Sequence, residues 1–253
     1  MHHLDEGFDP PEACAQWCRA YPPHVHDEGV TVDLDWWNRK LEVREHDLRL
    51  RGRDLDGRIV DKGQAIIQRN DLRDGTDLVD GARHRLGLLF LCAAWNSAHP
   101  GRRARRHLPD VRNPLTPEGR DPLEKIETQL REWAVSGELI TTTATWSGWP
   151  DTPGVGVSLR AVFMWAVGVT RNGLRTQLVD QHGVSTLIHE GWLEEPPVGG
   201  FTLRRYDRYL ELLHRWAQQI GTDPALVEMW LVRRWNARVQ EARSGALSEP
   251  TLF

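Results

Sequence analysis

The stretch TPGVGVSLRAVFMWAVGV, residues 152–169, puts a tight turn directly ahead of an apolar run long enough for a helix. Two glycines within three residues, Gly154 and Gly156, allow positive φ at little cost and let the backbone approach another surface closely. Val157, Ala161, Val162, Met164, Trp165 and Val167 then suit a largely buried helix. Two readings follow: a loop feeding a core helix, or a cradle in which backbone N–H groups at a helix start hold an anion. A buried helix needs others to cover it, and most of the remaining chain carries helical patterns.

The run DLVDGARHRLGLLFLCAAW is apolar through Leu86, Leu88, Leu89, Phe90, Leu91 and Ala94, which predicts a buried central helix. DPLEKIETQLREWAVSG predicts a helix with Asp121 as N-cap, Pro122 at its first position and Gly137 as stop. After the connector TRNGLRTQ, Asp180 is placed as N-cap of a short helix that ends near Gly191. A stripe of Tyr206, Tyr209, Leu210, Leu213 and Trp216 marks the next helix, and Asp223-Pro224 opens the last. A further short helix is expected around Pro11–Tyr21. Between residues 30 and 69 the period changes to alternation, at Val30, Val32, Leu34 and Trp36, then through KLEVRE and DLRLRGRDLDGRIV. With Asp56-Gly57 as a hairpin-type dipeptide, this reads as a small antiparallel sheet. The expected architecture is therefore mostly α: residues 1–75 an N-terminal extension with a small β-sheet, residues 76–253 a helical domain.

Composition narrows the partners. The chain has 253 residues, 40% hydrophobic and 27% charged, as in an ordinary globular protein. No apolar run reaches the roughly 18 residues of a membrane span, and the N-terminus has no basic-then-apolar leader, so a cytoplasmic protein without membrane contact is expected. Cys14, Cys18 and Cys92 lack the partners of a zinc or iron–sulfur site and are expected in the core. The formal charge of -4 argues against a globally basic surface. Yet HPGRRARRH packs Arg102, Arg103, Arg105 and Arg106 within five residues. That run is either a solvated turn or a surface for an anionic partner.

The Pro153-Gly154-Val155-Gly156 turn, its helix, and then Val179-Asp180-Gln181-His182 together resemble the helix-hairpin-helix superfamily of base-excision DNA glycosylases over about residues 80–235. The small N-terminal sheet also resembles the β portion that precedes the helices in the 8-oxoguanine and alkyladenine branches, and the 8-oxoguanine glycosylase-like branch is taken as the nearest. The resemblance implies two helical subdomains with a small antiparallel β extension. In that family the hairpin amides hold a DNA phosphate, often through a bound monovalent cation, and no cofactor is required. The target nucleotide is flipped out of the duplex into a pocket. The matching carboxylate, here Asp180, stabilises positive charge developing on the sugar. The implied partner is double-stranded DNA holding a damaged or modified base, met by a monomer, in genome repair or in defence against modified foreign DNA.

This chain departs from the family at several positions. Ser158 stands where bifunctional members carry a Schiff-base lysine, so without an amine the implied activity is monofunctional. Thr152 replaces the usual leucine, and TRNG lengthens the spacing from Ser158 to Asp180. The catalytic position is thus expected to hold Asp180 with Ser158 nearby; the DNA contacts are Pro153, Gly154, Val155, Gly156, Arg102, Arg103, Arg105 and Arg106. Trp95, Asn96, Trp146, Trp165 and His182 are candidates for a base pocket, through stacking by the indoles and edge recognition by the amide. Each has a plainer alternative: the tryptophans as core, His182 as a structural hydrogen-bonding group, Asp180 as a cap alone. The rival to an active enzyme is a catalytically inactive DNA-binding protein of the same fold.

Overall fold

A computed structural model describes residues 5–21, 28–43, 48–73, 75–80, 84–99, 102, 117–139, 145–152, 154–192 and 200–245. Within these the chain is mostly helical, with a small antiparallel sheet. Strand β1 (Val30–Asp33) leads into helix α2 (Leu34–Val43), which follows α1 (Glu12–Ala20). Short strands β2 (Arg49–Leu50), β3 (Gly52–Arg53), β4 (Ile59–Val60), β5 (Gln64–Ile67) and β6 (Val79–Asp80) come next. Helices α3 (His84–Ala98), α4 (Pro117–Ser136) and α5 (Val157–Val167) precede a hairpin of β7 (Thr170–Arg171) and β8 (Leu174–Arg175). Helices α6 (Gln181–His189), α7 (Leu203–Ile220) and α8 (Pro224–Arg243) complete the described chain.

The larger sheet has the order β1-β5-β3-β4, antiparallel throughout, with Val30 opposite Ile67 and Val32 opposite Ala65. Its apolar positions Val30, Val32, Ala65 and Ile67 are buried, so the alternation read from the sequence holds at β1. It fails one residue later, because Leu34–Val43 is helical. Leu34, Trp37 and Leu41 are all buried, at the i, i+3, i+7 spacing of a helix face. Asp33 Oδ1 accepts the Trp36 N–H at 2.9 Å, a side-chain cap that ends the strand and starts the helix. Asn38 fixes α2 on the sheet side by accepting from Leu50 N at 2.8 Å and donating to the carbonyls of Leu50 and Asp61.

Helix α3 is the buried centre, with Leu86 to Asn96 inside the core. Gly87 allows its backbone to lie against β6, since a Cβ there would stand 2.1 Å from Val79 Cγ1. Helix α4 begins at Pro117, ahead of the expected Asp121-Pro122 start. A proline in the first turn gives up no intrahelical hydrogen bond, so Pro117 opens the helix as well as Pro122 would have. The connector TRNG is a β-hairpin, β7 to β8, with Asn172 at φ 52° and Gly173 at φ 76°. Those angles suit a two-residue hairpin turn, for which Asn-Gly is the preferred pair. The stripe on α7 is buried as expected at Tyr206, Tyr209, Leu210, Leu213 and Trp216. All three cysteines are buried free thiols, and no helix among the described residues is long and apolar enough to cross a membrane.

The N-terminal residues fold onto the C-terminal helices. Asp5 forms a bidentate pair with Arg208 of α7 at 2.5 Å and accepts the Trp192 indole N–H at 3.1 Å. Both charges are buried. Removing one member of such a pair strands the other in a low-dielectric interior. Asp5→Ala is therefore expected to lower stability by about 3 kcal/mol in chemical denaturation, although it lies far in sequence from every helix it holds.

Candidate active site

The turn ahead of α5 closes through Val155 N donating to Thr152 O at 3.0 Å, with Gly154 at φ 74°. Gly156 is the N-cap of α5, and no side chain caps the helix there. Its φ of -68° is open to any residue, and a Cβ would meet nothing within 4 Å. Among the described residues nothing fills the space beside that exposed position. The turn is held from beneath by Arg160, which sequence reading missed. Its guanidinium donates to Thr152 Oγ1 at 3.0 and 2.6 Å and to Val155 O at 3.0 Å, and stacks over Trp149 at 5.1 Å. Burial brings the Arg160 guanidinium down to about 10, with Asp151 opposing that shift. Ser158 is the second residue of α5, half-buried. Pro153 lies outside the described residues.

Asp180 sits at the start of α6, delivered by an extended segment pinned to α7. Tyr206 Oη donates to Gln177 O at 2.7 Å and Tyr209 Oη to Leu178 O at 2.8 Å. Asp180 Oδ1 accepts the N–H groups of His182 at 2.8 Å and Gly183 at 3.0 Å, the cap expected from the sequence. Its other oxygen accepts Arg102 Nη1 at 2.9 Å. The carboxylate is 3% exposed.

Arg102 is the main correction to the sequence reading. It is buried, so it does not belong to a DNA-facing basic surface. Three carboxylates draw it inward. It grips Glu228 of α8 through both terminal nitrogens, at 2.6 and 3.0 Å, and meets Asp180 and, at 3.5 Å, Glu28. Arg69 shares this cluster, donating to Glu28 at 3.3 Å and Glu228 at 3.0 Å. His99 Nε2 lies 2.6 Å from Glu28 Oε1. Burial alone would raise the Glu28 carboxyl, but Arg102, the His99 hydrogen bond and Arg69 outweigh it and hold Glu28 well below the usual carboxylate range. Burial likewise opposes the charge on Arg102, and Glu228, Glu28 and Asp180 reverse that and hold it firmly protonated. Arg103, Arg105 and Arg106 lie outside the described residues.

The pocket candidates divide. Trp95 is core, with its indole N–H donated to Glu28 O at 2.9 Å, yet the Arg102 guanidinium lies 5.3 Å from its ring, so it borders the Asp180 cluster. Asn96 is buried on α3, and Trp165 is buried on α5. His182 is half-buried and joins Asp180 through its backbone. Trp146 is 88% exposed on a turn closed by Gly148 N to Thr145 O at 2.9 Å. Glu28, Arg69, His99 and Glu228 were missed. A carboxylate inside the apolar run Ala225–Val232 is the one signal that pointed to Glu228. Among the described residues no group of three or more His, Cys, Asp or Glu is arranged to hold a metal ion.

A family model described as "Putative 8-oxoguanine DNA glycosylase OGG-like protein" matches residues 23–232, which include the glycine turn and Asp180 together with Glu28, Arg69, Arg102 and Glu228. No curated protein and no solved structure matches the chain. With the match running over most of its length, the chain belongs to this OGG-like 8-oxoguanine DNA glycosylase family.

Proposed function

We propose that the protein is a monofunctional DNA glycosylase that hydrolyses the N-glycosidic bond of a damaged or modified base flipped out of double-stranded DNA. The observation that carries the reading is that one family match spans both the turn before α5 and Asp180. The first-turn amides of α5, beside the exposed Gly154 and Gly156, suit a backbone phosphate. A monovalent cation at that turn fits the residues poorly. Val155 O already accepts from Arg160, and a guanidinium beside the carbonyl repels a second cation. Direct contact of amides with phosphate is the simpler arrangement.

Asp180 is assigned the charge that steadies the sugar as the base departs. Both its oxygens are engaged, which suits electrostatic stabilisation rather than nucleophilic attack. For a sugar to reach Oδ2, Arg102 must give up its place there. Ser158 offers no amine, so the abasic product is left intact.

The test is base release from a panel of duplexes, each holding one damaged or modified base, read with and without hot alkali. Strand breaks that need alkali are the expected result. Breaks without alkali would mean that an amine elsewhere serves as nucleophile. The burial of Asp180 beneath Arg102 favours one rival, a DNA-binding protein of the same fold without chemistry. Tight duplex binding with no release from any substrate would support that rival.

A further inference from the structure

We propose that Arg73 and Arg175, with Arg69 behind them, form a phosphate-binding site around Trp165, separate from the turn at Gly154–Gly156. Three guanidinium carbons gather at this one ring: Arg73 at 3.8 Å from its centroid, Arg69 at 4.7 Å and Arg175 at 5.8 Å. Stacking on an indole gives each cation some stabilisation, but it does not cancel the repulsion among three like charges.

Several arginines elsewhere are answered by acids. Arg53 meets Asp71, Arg171 meets Asp207 and Arg208 meets Asp5. Around Trp165 only Arg69 is answered so, by Glu28 and Glu228. Among the described residues, the Arg73 side chain donates one hydrogen bond, to Trp165 O at 3.4 Å, and neither Arg73 nor Arg175 has a carboxylate partner. Asp223 acts on Arg73 only through space, and its Oδ1 caps α8 by accepting from Ala225 N. Burial, together with Arg175 and Arg69, brings Arg73 down to about 10.

The second observation is Arg69 itself. Its side chain is fully buried, and although Nη1 serves two carboxylates, Nε and Nη2 have no hydrogen-bond partner. Unmet guanidinium donors in the interior are costly. Arg73 is half-buried and Arg175 exposed, so the cluster is open to solvent on one side. Forked donors in this number match the several acceptor oxygens of a phosphate better than they match a halide. The phosphate has two sources, a DNA backbone phosphodiester or a free phosphate. Only the first rests on the glycosylase reading.

The test compares wild type with the double variant Arg73→Gln/Arg175→Gln. In about 50 mM inorganic phosphate, wild type should melt a few degrees higher than in chloride of equal ionic strength, and acetate should not reproduce the shift. The variant should lose that shift. In chloride it should melt no lower than wild type, because two like charges have gone. Binding of a lesion-free duplex is measured in parallel. Loss of a backbone contact should shrink the slope of log affinity against log salt by about 1 per phosphate. A smaller slope assigns the site to DNA, and a lost phosphate shift with an unchanged slope assigns it to a free phosphate. A phosphate shift and a slope that both survive in the variant overturn the proposal, as does an equal shift in acetate. Neither readout requires base release, so the outcome is independent of whether the enzyme is active.

Discussion

Arg102→Met should destabilise the protein by about 5 kcal/mol, lowering Tm by roughly 10 °C or more in calorimetry. A solvated arginine in a charged loop would change stability by about 0.5 kcal/mol or less on substitution. The difference comes from what Arg102 leaves behind. Glu28, Asp180 and Glu228 are buried around it, and what remains is Arg69, on Glu28 and Glu228, and His99, on Glu28. Adding Glu228→Gln to Arg102→Met should restore part of the loss, because one of the stranded charges is removed with it. The pH dependence follows with a definite sign. Glu28 is depressed from 4.5 in the folded state. Its contribution is therefore fully present above its unfolded value and is lost as pH falls below about 4.5. Wild type should weaken steeply from pH 5 to pH 3. Arg102→Met, whose Glu28 has lost its strongest cationic partner, should show a flatter acid limb.

That prediction also marks where the sequence stops being informative. Local signals were readable: Asp180 and Asp223 as caps, the α7 stripe, and the apolar centre of α3 each depend on residues within one or two turns. Two local signals were present and outweighed. The alternation through Val30–Trp36 hid the Leu34, Trp37, Leu41 stripe because both periods share Leu34. Asn172-Gly173 was passed over because its strands are two residues each. The buried ionic cluster is a different matter. Its members stand at 28, 69, 99, 102, 180 and 228, so no window of sequence contains them. Four arginines in five residues look equivalent along the chain, and nothing local announces that Arg102 meets carboxylates brought by α6, α8 and the segment before β1.

Asp180→Asn should reduce base release by about 10²–10³-fold or more, the scale on which a preorganised electrostatic group acts, while duplex affinity and fold are kept. The substitution isolates charge from structure for three reasons. Asparagine caps a helix about as well as aspartate, so the amides of His182 and Gly183 keep an acceptor. Arg102 retains its two contacts to Glu228. Leaving His99 aside, the cluster holds three carboxylates and two guanidinium groups, so removing one negative charge brings it to balance. Stability should therefore fall by no more than about 1.5–3 kcal/mol, the worth of one hydrogen bond to a charged group. Asp180→Ala would lose the cap as well and fall by about 1 kcal/mol further. If the asparagine variant still released base at the wild-type rate, the excess negative charge would not be Asp180's to supply, and Glu28 or Glu228 would be the carboxylate to replace next.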